Sequence, residues 1–115
     1  MELQNIEIYR GDNRTFKVTV KDGDGVVVDI TGASIKFSVK EEISDTSYVI
    51  QKTVGSGINI TDAANGEYEV YIVPADTQNL DTKVYEYDSE LTTSAPKVYT
   101  VVRGEFTVQA EITRP

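Results

Sequence analysis

Residues 80–91 read LDTKVYEYDSEL, and the register of this dodecamer decides how the rest of the chain is read. From Tyr85 onward every second residue but Ser89 is apolar or aromatic: Tyr85, Tyr87 and Leu91 share one side, Glu86, Asp88 and Glu90 the other. In an extended chain successive side chains point to opposite faces, so a period of two marks a strand with one buried face. The same alternation sets Phe16, Val18 and Val20 against Lys17, Thr19 and Lys21, and Ile35, Phe37 and Val39 against Lys36, Ser38 and Lys40. Tyr68, Val70 and Ile72 oppose Glu67, Glu69 and Tyr71, and Phe106, Val108, Ala110 and Ile112 close the chain on one side. Antiparallel strands with one solvated face carry this pattern.

Weaker strand signals lie at residues 6–10, 47–54, 57–61 and 98–102. Gly- and Asn-bearing turns separate them: DGDG at 22–25, TGA at 31–33, GSG at 55–57 and AANG at 63–66. A helical turn is expected only in PADTQNL, residues 74–80, where Pro74 suits the first helical position. Strands recurring at about every 8–12 residues predict an all-β sandwich. Asp81, Tyr85 and Tyr87 stand at the spacing with which immunoglobulin domains enter their sixth strand. There the Tyr hydroxyl ties down the corner and a Cys follows two residues later. On that reading Tyr87 fills the Cys position with a ring; the plainer reading is a strand with two core tyrosines. The expectation is one immunoglobulin-like antiparallel β-sandwich of about eight or nine strands over residues 1–115. Glycine within a strand pattern predicts a bulge at Gly104.

At 115 residues the chain has the size of one domain and buries roughly two-thirds of its unfolded surface. It contains no Cys and no His, which removes disulfides, thiol nucleophiles, Ser-His-Asp triads and the usual zinc ligands. The net charge of −8, with eleven scattered basic residues, argues against nucleic acid or an anionic membrane as partner. No apolar run has the length of a bilayer span, and the first residues, MELQNIEIYR, do not read as a signal peptide.

Several motifs suggest chemistry and have simpler explanations. Arg10-Gly11-Asp12 matches an adhesion tripeptide, yet strands flank it closely, so it reads as a turn with Asp12 accepting backbone hydrogen bonds. Asp22 and Asp24 lack the further acids of a calcium loop and read as a hairpin turn. Glu86, Asp88 and Glu90, with Glu67 and Glu69 if those strands adjoin, have the residue types of a glycosidase pair. On an outward face they read as solvated acids. Tyr71, Tyr99 and Val101 fall out of register with their inward sets. Either they face another protein, as exposed tyrosines do at interfaces, or they belong to a second, partly buried face.

Six phrases in order span almost the whole chain: RGDNRTFKVTVKDGDG (10–25), VDITGASIKFSVK (28–40), GINITDAANGEY (57–68), VPADTQNL (73–80), VYEYDSELT (84–92) and TVVRGEFTV (100–108). With them the chain resembles a family of small structural proteins of tailed bacteriophages and prophages, built on immunoglobulin-like, upper-baseplate-like modules. Ser89, where an apolar residue commonly follows the Tyr-Asp pair, and the glycine-free loop TTSAPK depart from that pattern. The resemblance implies a non-enzymatic virion component of neck, fibre or baseplate, folded in the bacterial host cytoplasm. Its partners would be other phage structural proteins and copies of itself, with no cofactor, metal, nucleic acid, membrane or small-molecule substrate. Docking would use the strand edges Glu2–Tyr9, with Ile6 and Ile8, and Glu105–Ile112, together with Tyr71, Tyr99 and Val101. The alternative is a carbohydrate- or cell-surface-binding module with Tyr48, Tyr71 and Tyr99 as its aromatic platform.

Overall fold

The computed structural model describes residues 2–113 and is built almost wholly of strands. In chain order they are β1 (Glu2–Leu3), β2 (Ile6–Tyr9), β3 (Arg14–Thr19), β4 (Ser34–Lys40), β5 (Ile50–Val54), β6 (Gly57–Asp62), β7 (Glu67–Ile72), β8 (Val84–Thr92) and β9 (Val98–Gln109). A short helix α1, Pro74–Thr77, follows β7, with Pro74 at its start as expected. A single 3-10 turn, Ala63–Asn65, replaces the plain turn expected there and ends on Gly66 at φ 70°.

The strands form one hydrogen-bonded ladder in the order β1-β9-β8-β4-β5-β6-β7-β3, with β2 also on β9. The ladder folds back on itself into two facing layers, β9-β8-β4-β5 and β6-β7-β3, so the fold is an all-β, sandwich-type one that nearly closes into a barrel. The corner lies between β5 and β6, where Gly55 at φ 84° and Gly57 at φ 100° adopt a backbone that side chains disfavour. The long pairings are antiparallel as expected: β3–β7, β4–β5, β4–β8, β6–β7 and β8–β9. The N-terminal strands and the corner depart from that expectation, because β1 and β2 pair with β9 in parallel and β5 pairs with β6 in parallel.

The alternation does what it predicted. Tyr85, Tyr87 and Leu91 of β8 are buried with Ile35, Phe37 and Val39 of β4 and with Tyr68, Val70 and Ile72 of β7. Each such side chain contributes about 1.5–3 kcal/mol through its removal from water. Phe16 stacks on Phe37 across the layers at 6.4 Å, and within the β9-β8-β4 layer Phe37 lies 5.4 Å from Tyr87, which meets Phe106 edge-on at 6.4 Å. Ser89 is also fully buried, and its hydroxyl meets the Tyr68 hydroxyl at 2.6 Å across the layers. Burial raises the Tyr68 phenol to about 12, with Ser89 opposing the shift.

Two readings of β9 need correction. The register moves from Ser89↔Val102 to Glu90↔Thr100, so the extra, bulged residue is Val101 and not Gly104. The strand also ends at Gln109, leaving Ala110 exposed and Ile112 wholly in solvent. Apolar alternation there outlasts its partners, since β2 ends at Tyr9, opposite Gln109, and β8 begins at Val84, opposite Thr107. A strand without a ladder neighbour has nothing to bury its inward face against.

Candidate protein-interaction site

The N-terminal strands choose the β9 side of the sandwich, and this leaves β3 at one end of the ladder, paired among the described residues with β7 alone. Between β3 and the β1–β2 side the layers stay open in a slot of about 720 Å³. One wall is Thr15 to Thr19 of β3; the other is Gln4, Ile6, Val101 and Val102; Phe37, Val70 and Tyr87 form the floor. Phe16, Val18 and Val101 are only half-buried because nothing closes the slot above them. At one end the Arg14 guanidinium crosses it to donate to the Glu7 carbonyl at 3.1 Å and lies 5.2 Å over the Phe16 ring. On the outer face Lys17 pairs with Glu67 at 3.1 Å.

The residues singled out by sequence distribute unevenly around this slot. Val101 lines it, as the bulge. The N-terminal segment is an edge as expected, since β1 ends the ladder and β2 pairs with β9 alone among the described strands, but Ile6 and Ile8 are not what it displays: they are 6% and 3% exposed, packed in the core by their pairing with Phe106 and Val108. Of the predicted edge Glu105–Ile112, the part within β9, up to Gln109, is taken, since β9 carries β8 on one side and β1 and β2 on the other, whereas residues 110–112 lie beyond the strand. Tyr71 lies on the outer face of β7, half-buried, its hydroxyl donating to Glu69 at 3.0 Å. Tyr99 is exposed, yet the bulge places it opposite fully buried Leu91, at the end of the β8–β9 ladder. The Tyr85 hydroxyl donates to the Asp81 carbonyl at 2.8 Å, and the Tyr87 hydroxyl donates to the Gln4 carbonyl at 2.6 Å. Gly104, opposite Tyr87, lets that N-terminal backbone pass: a Cβ there would sit 2.2 Å from the Gln4 carbonyl oxygen.

The other predicted motifs hold structure. Arg10 is ion-paired with Glu111 at 2.8 Å, the Gly11 N–H donates to the buried Thr77 hydroxyl, and the Asp12 N–H donates to the Tyr9 carbonyl. The triplet is a turn pinned to α1, not a displayed loop. Asp22 Oδ1 accepts the backbone N–H groups of Asp24 and Val26, the hydrogen bonding of an Asx turn. The loop at 92–97 turns without glycine because the Thr93 hydroxyl accepts the Ala95 and Lys97 N–H groups.

A second, polar groove of about 450 Å³ runs over the outer face of β4, β8 and β9. Here Glu86, Asp88 and Glu90 do not converge; they alternate with Lys36, Lys40 and Arg103 across the ladder. Glu67 and Glu69 stand on the opposite layer. Burial, with help from Glu90, raises the Asp88 carboxyl above its ordinary value, against Arg103 and Lys40. Tyr48 lines the rim with the Lys40 ammonium 5.0 Å over its ring; neither Tyr71 nor Tyr99 lines this groove, so the three form no platform. Among the described residues no group of three or more His, Cys, Asp or Glu is disposed to hold a metal ion.

Sequence reasoning missed the slot. No local signal singles it out: RTFKVT on the end strand β3 and SIKFSVK on the central strand β4 carry the same lysine-bearing alternation.

No family model and no curated protein matches the chain. Among solved structures it is similar to the GspB Siglec domain, at 18% identity and TM-score 0.52, over 96% of this chain and 56% of that one. It is also similar to a family 123 glycoside hydrolase from Clostridium perfringens, at 14% identity and TM-score 0.47, over 99% of this chain and 24% of that one. The chain thus spans little more than half the length of the first and a quarter of the second. The likeness to the first shows a shared fold.

Proposed function

We propose that the chain is a non-enzymatic structural module of a tailed-bacteriophage particle, in neck, fibre or baseplate, acting by docking onto other particle proteins and copies of itself. The single observation that carries a docking role is the open slot beside β3, where an unpaired strand edge lies next to half-buried Phe16, Val18 and Val101. Strand edges over apolar grooves are a recurrent means by which β domains take partners. The phage setting comes from the sequence resemblance. Mass spectrometry of purified particles, with a density map to place the module, tests the assignment. Its presence at defined copy number is the expected result, and its absence from particles overturns the reading.

A second reading, a carbohydrate-binding module, is favoured by the polar groove and by Tyr48 at its rim. Glycan-array binding that disappears in Tyr48→Ala supports it, and a flat array removes it.

A further inference from the structure

We propose that β3 accepts an additional strand from another protein, an extended segment in which acidic residues alternate with apolar ones. The proposal rests on the assembly reading and names the kind of partner the slot takes. Three observations lead to it. First, β3 is one end of the ladder, β1 being the other, so every second backbone N–H and C=O along Arg14–Thr19 points away from β7 with no strand among the described residues to meet it. An extended segment of equal length, roughly 20 Å, would complete those bonds.

Second, the slot has an apolar floor beneath a polar rim that includes Gln4, Thr15, Lys17 and Thr19. Inward-pointing side chains of an added strand would cover Phe16, Val18 and Val101 and close the layers over Phe37 and Val70.

Third, charge selects the segment. Residues 14–21, RTFKVTVK, hold Arg14, Lys17 and Lys21 in a chain of net charge −8, and against Lys17 and Lys21 the slot's lining carries a single acid, Asp22 at its loop end. The strand β3 already accepts is Glu-Tyr-Glu-Val-Tyr-Ile, which sets Glu69 opposite Lys17 and Glu67 opposite Thr19. Lys17 reaches Glu67 at 3.1 Å from the outer face, and outward side chains in mid-strand flank both neighbouring positions. The vacant side therefore presents the same preference for acids outward and apolar residues inward.

A second copy of β3 is the wrong occupant. Antiparallel self-pairing that stacks Phe16 on Val18 sets Lys17 directly against Lys17 of the other copy, and like charges directly opposite are destabilising. The lysine serves as a guard against self-association while admitting an acidic strand.

The probe is a fluorescein-labelled peptide of the β7 sequence, EYEVYI, titrated into the intact chain and followed by anisotropy and by amide chemical shifts. Expected are saturable binding, shifts and slowed amide exchange confined to β3 and the slot walls, and at least tenfold weaker binding of KYKVYI. Lys17→Glu reverses the order of the two peptides. Lys17→Gln, which introduces no repulsion, serves as the folding-safe variant and reduces the difference between them. Equal affinity for both peptides, shifts mapped elsewhere, no binding up to millimolar peptide, or a β3–β3 dimer of the free chain overturns the proposal. The result is separable from particle incorporation: a chain found in particles that ignores the peptide fails this inference alone. One that binds the peptide but is absent from particles fails the assembly reading alone.

Discussion

The Tyr87 hydroxyl donates a 2.6 Å hydrogen bond to the backbone carbonyl of Gln4, so a strand at the centre of one layer holds the chain's first segment in place. That carbonyl passes directly over Gly104, whose missing side chain makes the approach possible. The Asn5 side chain then accepts the Glu105 N–H at 3.0 Å, spanning the break between β1 and β2. The N-terminal strands thus depend on one glycine and one phenol, neither of which is in the segment they position.

Gly104→Ala is expected to push the Gln4 backbone off β9, because the added methyl would lie 2.2 Å from its oxygen. Overpacking of this kind costs about 1–3 kcal/mol. Urea unfolding should report the loss, with faster amide exchange concentrated in residues 3–9.

Tyr87→Phe keeps the ring packing against Phe37 and Phe106 and removes the bond to Gln4. A loss of about 0.5–1.5 kcal/mol is expected. Exchange should quicken at Gln4 and its neighbours, while β4 and β8 remain protected. An unchanged N-terminal exchange profile would show that the parallel pairing with β9 suffices by itself.

The Tyr68–Ser89 pair lies in the core, and its members satisfy one another. Ser89→Ala should cost about 1–3 kcal/mol by leaving a buried phenol without its hydrogen-bond partner, and Tyr68→Phe should cost roughly as much in return. The double variant should be no worse than the poorer single one. A coupling energy near zero in the cycle would refute the mutual dependence.

Asp88 gives a pH dependence with a defined sign. Burial and then Glu90 raise its folded value above the ordinary 3.8, so the ionised form costs the folded state. Its contribution to stability is most favourable below that ordinary value and falls as pH rises through the raised one. Asp88→Asn is therefore expected to stabilise the protein at pH 7 and to change it little at pH 3, as measured by urea unfolding at both. Destabilisation at pH 7 would mean that Arg103 and Lys40 outweigh burial.

How much of this was legible depends on whether the deciding contact is local. The period of two in LDTKVYEYDSEL and its relatives set the strands, their inward faces and the all-β class, because side-chain direction in an extended chain follows from backbone geometry alone. The Asp81–Tyr85 contact spans four residues and was likewise within reach of spacing. The turn at Asp22 followed from a side chain that bonds its own neighbours, whereas at Gly11 the turn was expected but its bond to Thr77 comes from 66 residues away.

What spacing does not carry is which edge a strand chooses and where its partners run out. Ile6 and Ile8 became core residues, Val101 took the bulge from Gly104, and Ile112 was left in water because of strands far away in sequence. Alternation says that a face must be buried; only the pairing of β1 and β2 with β9 says against what. That choice leaves β3 uncovered, and so the candidate docking site is a property of the tertiary arrangement, created by a strand that went elsewhere.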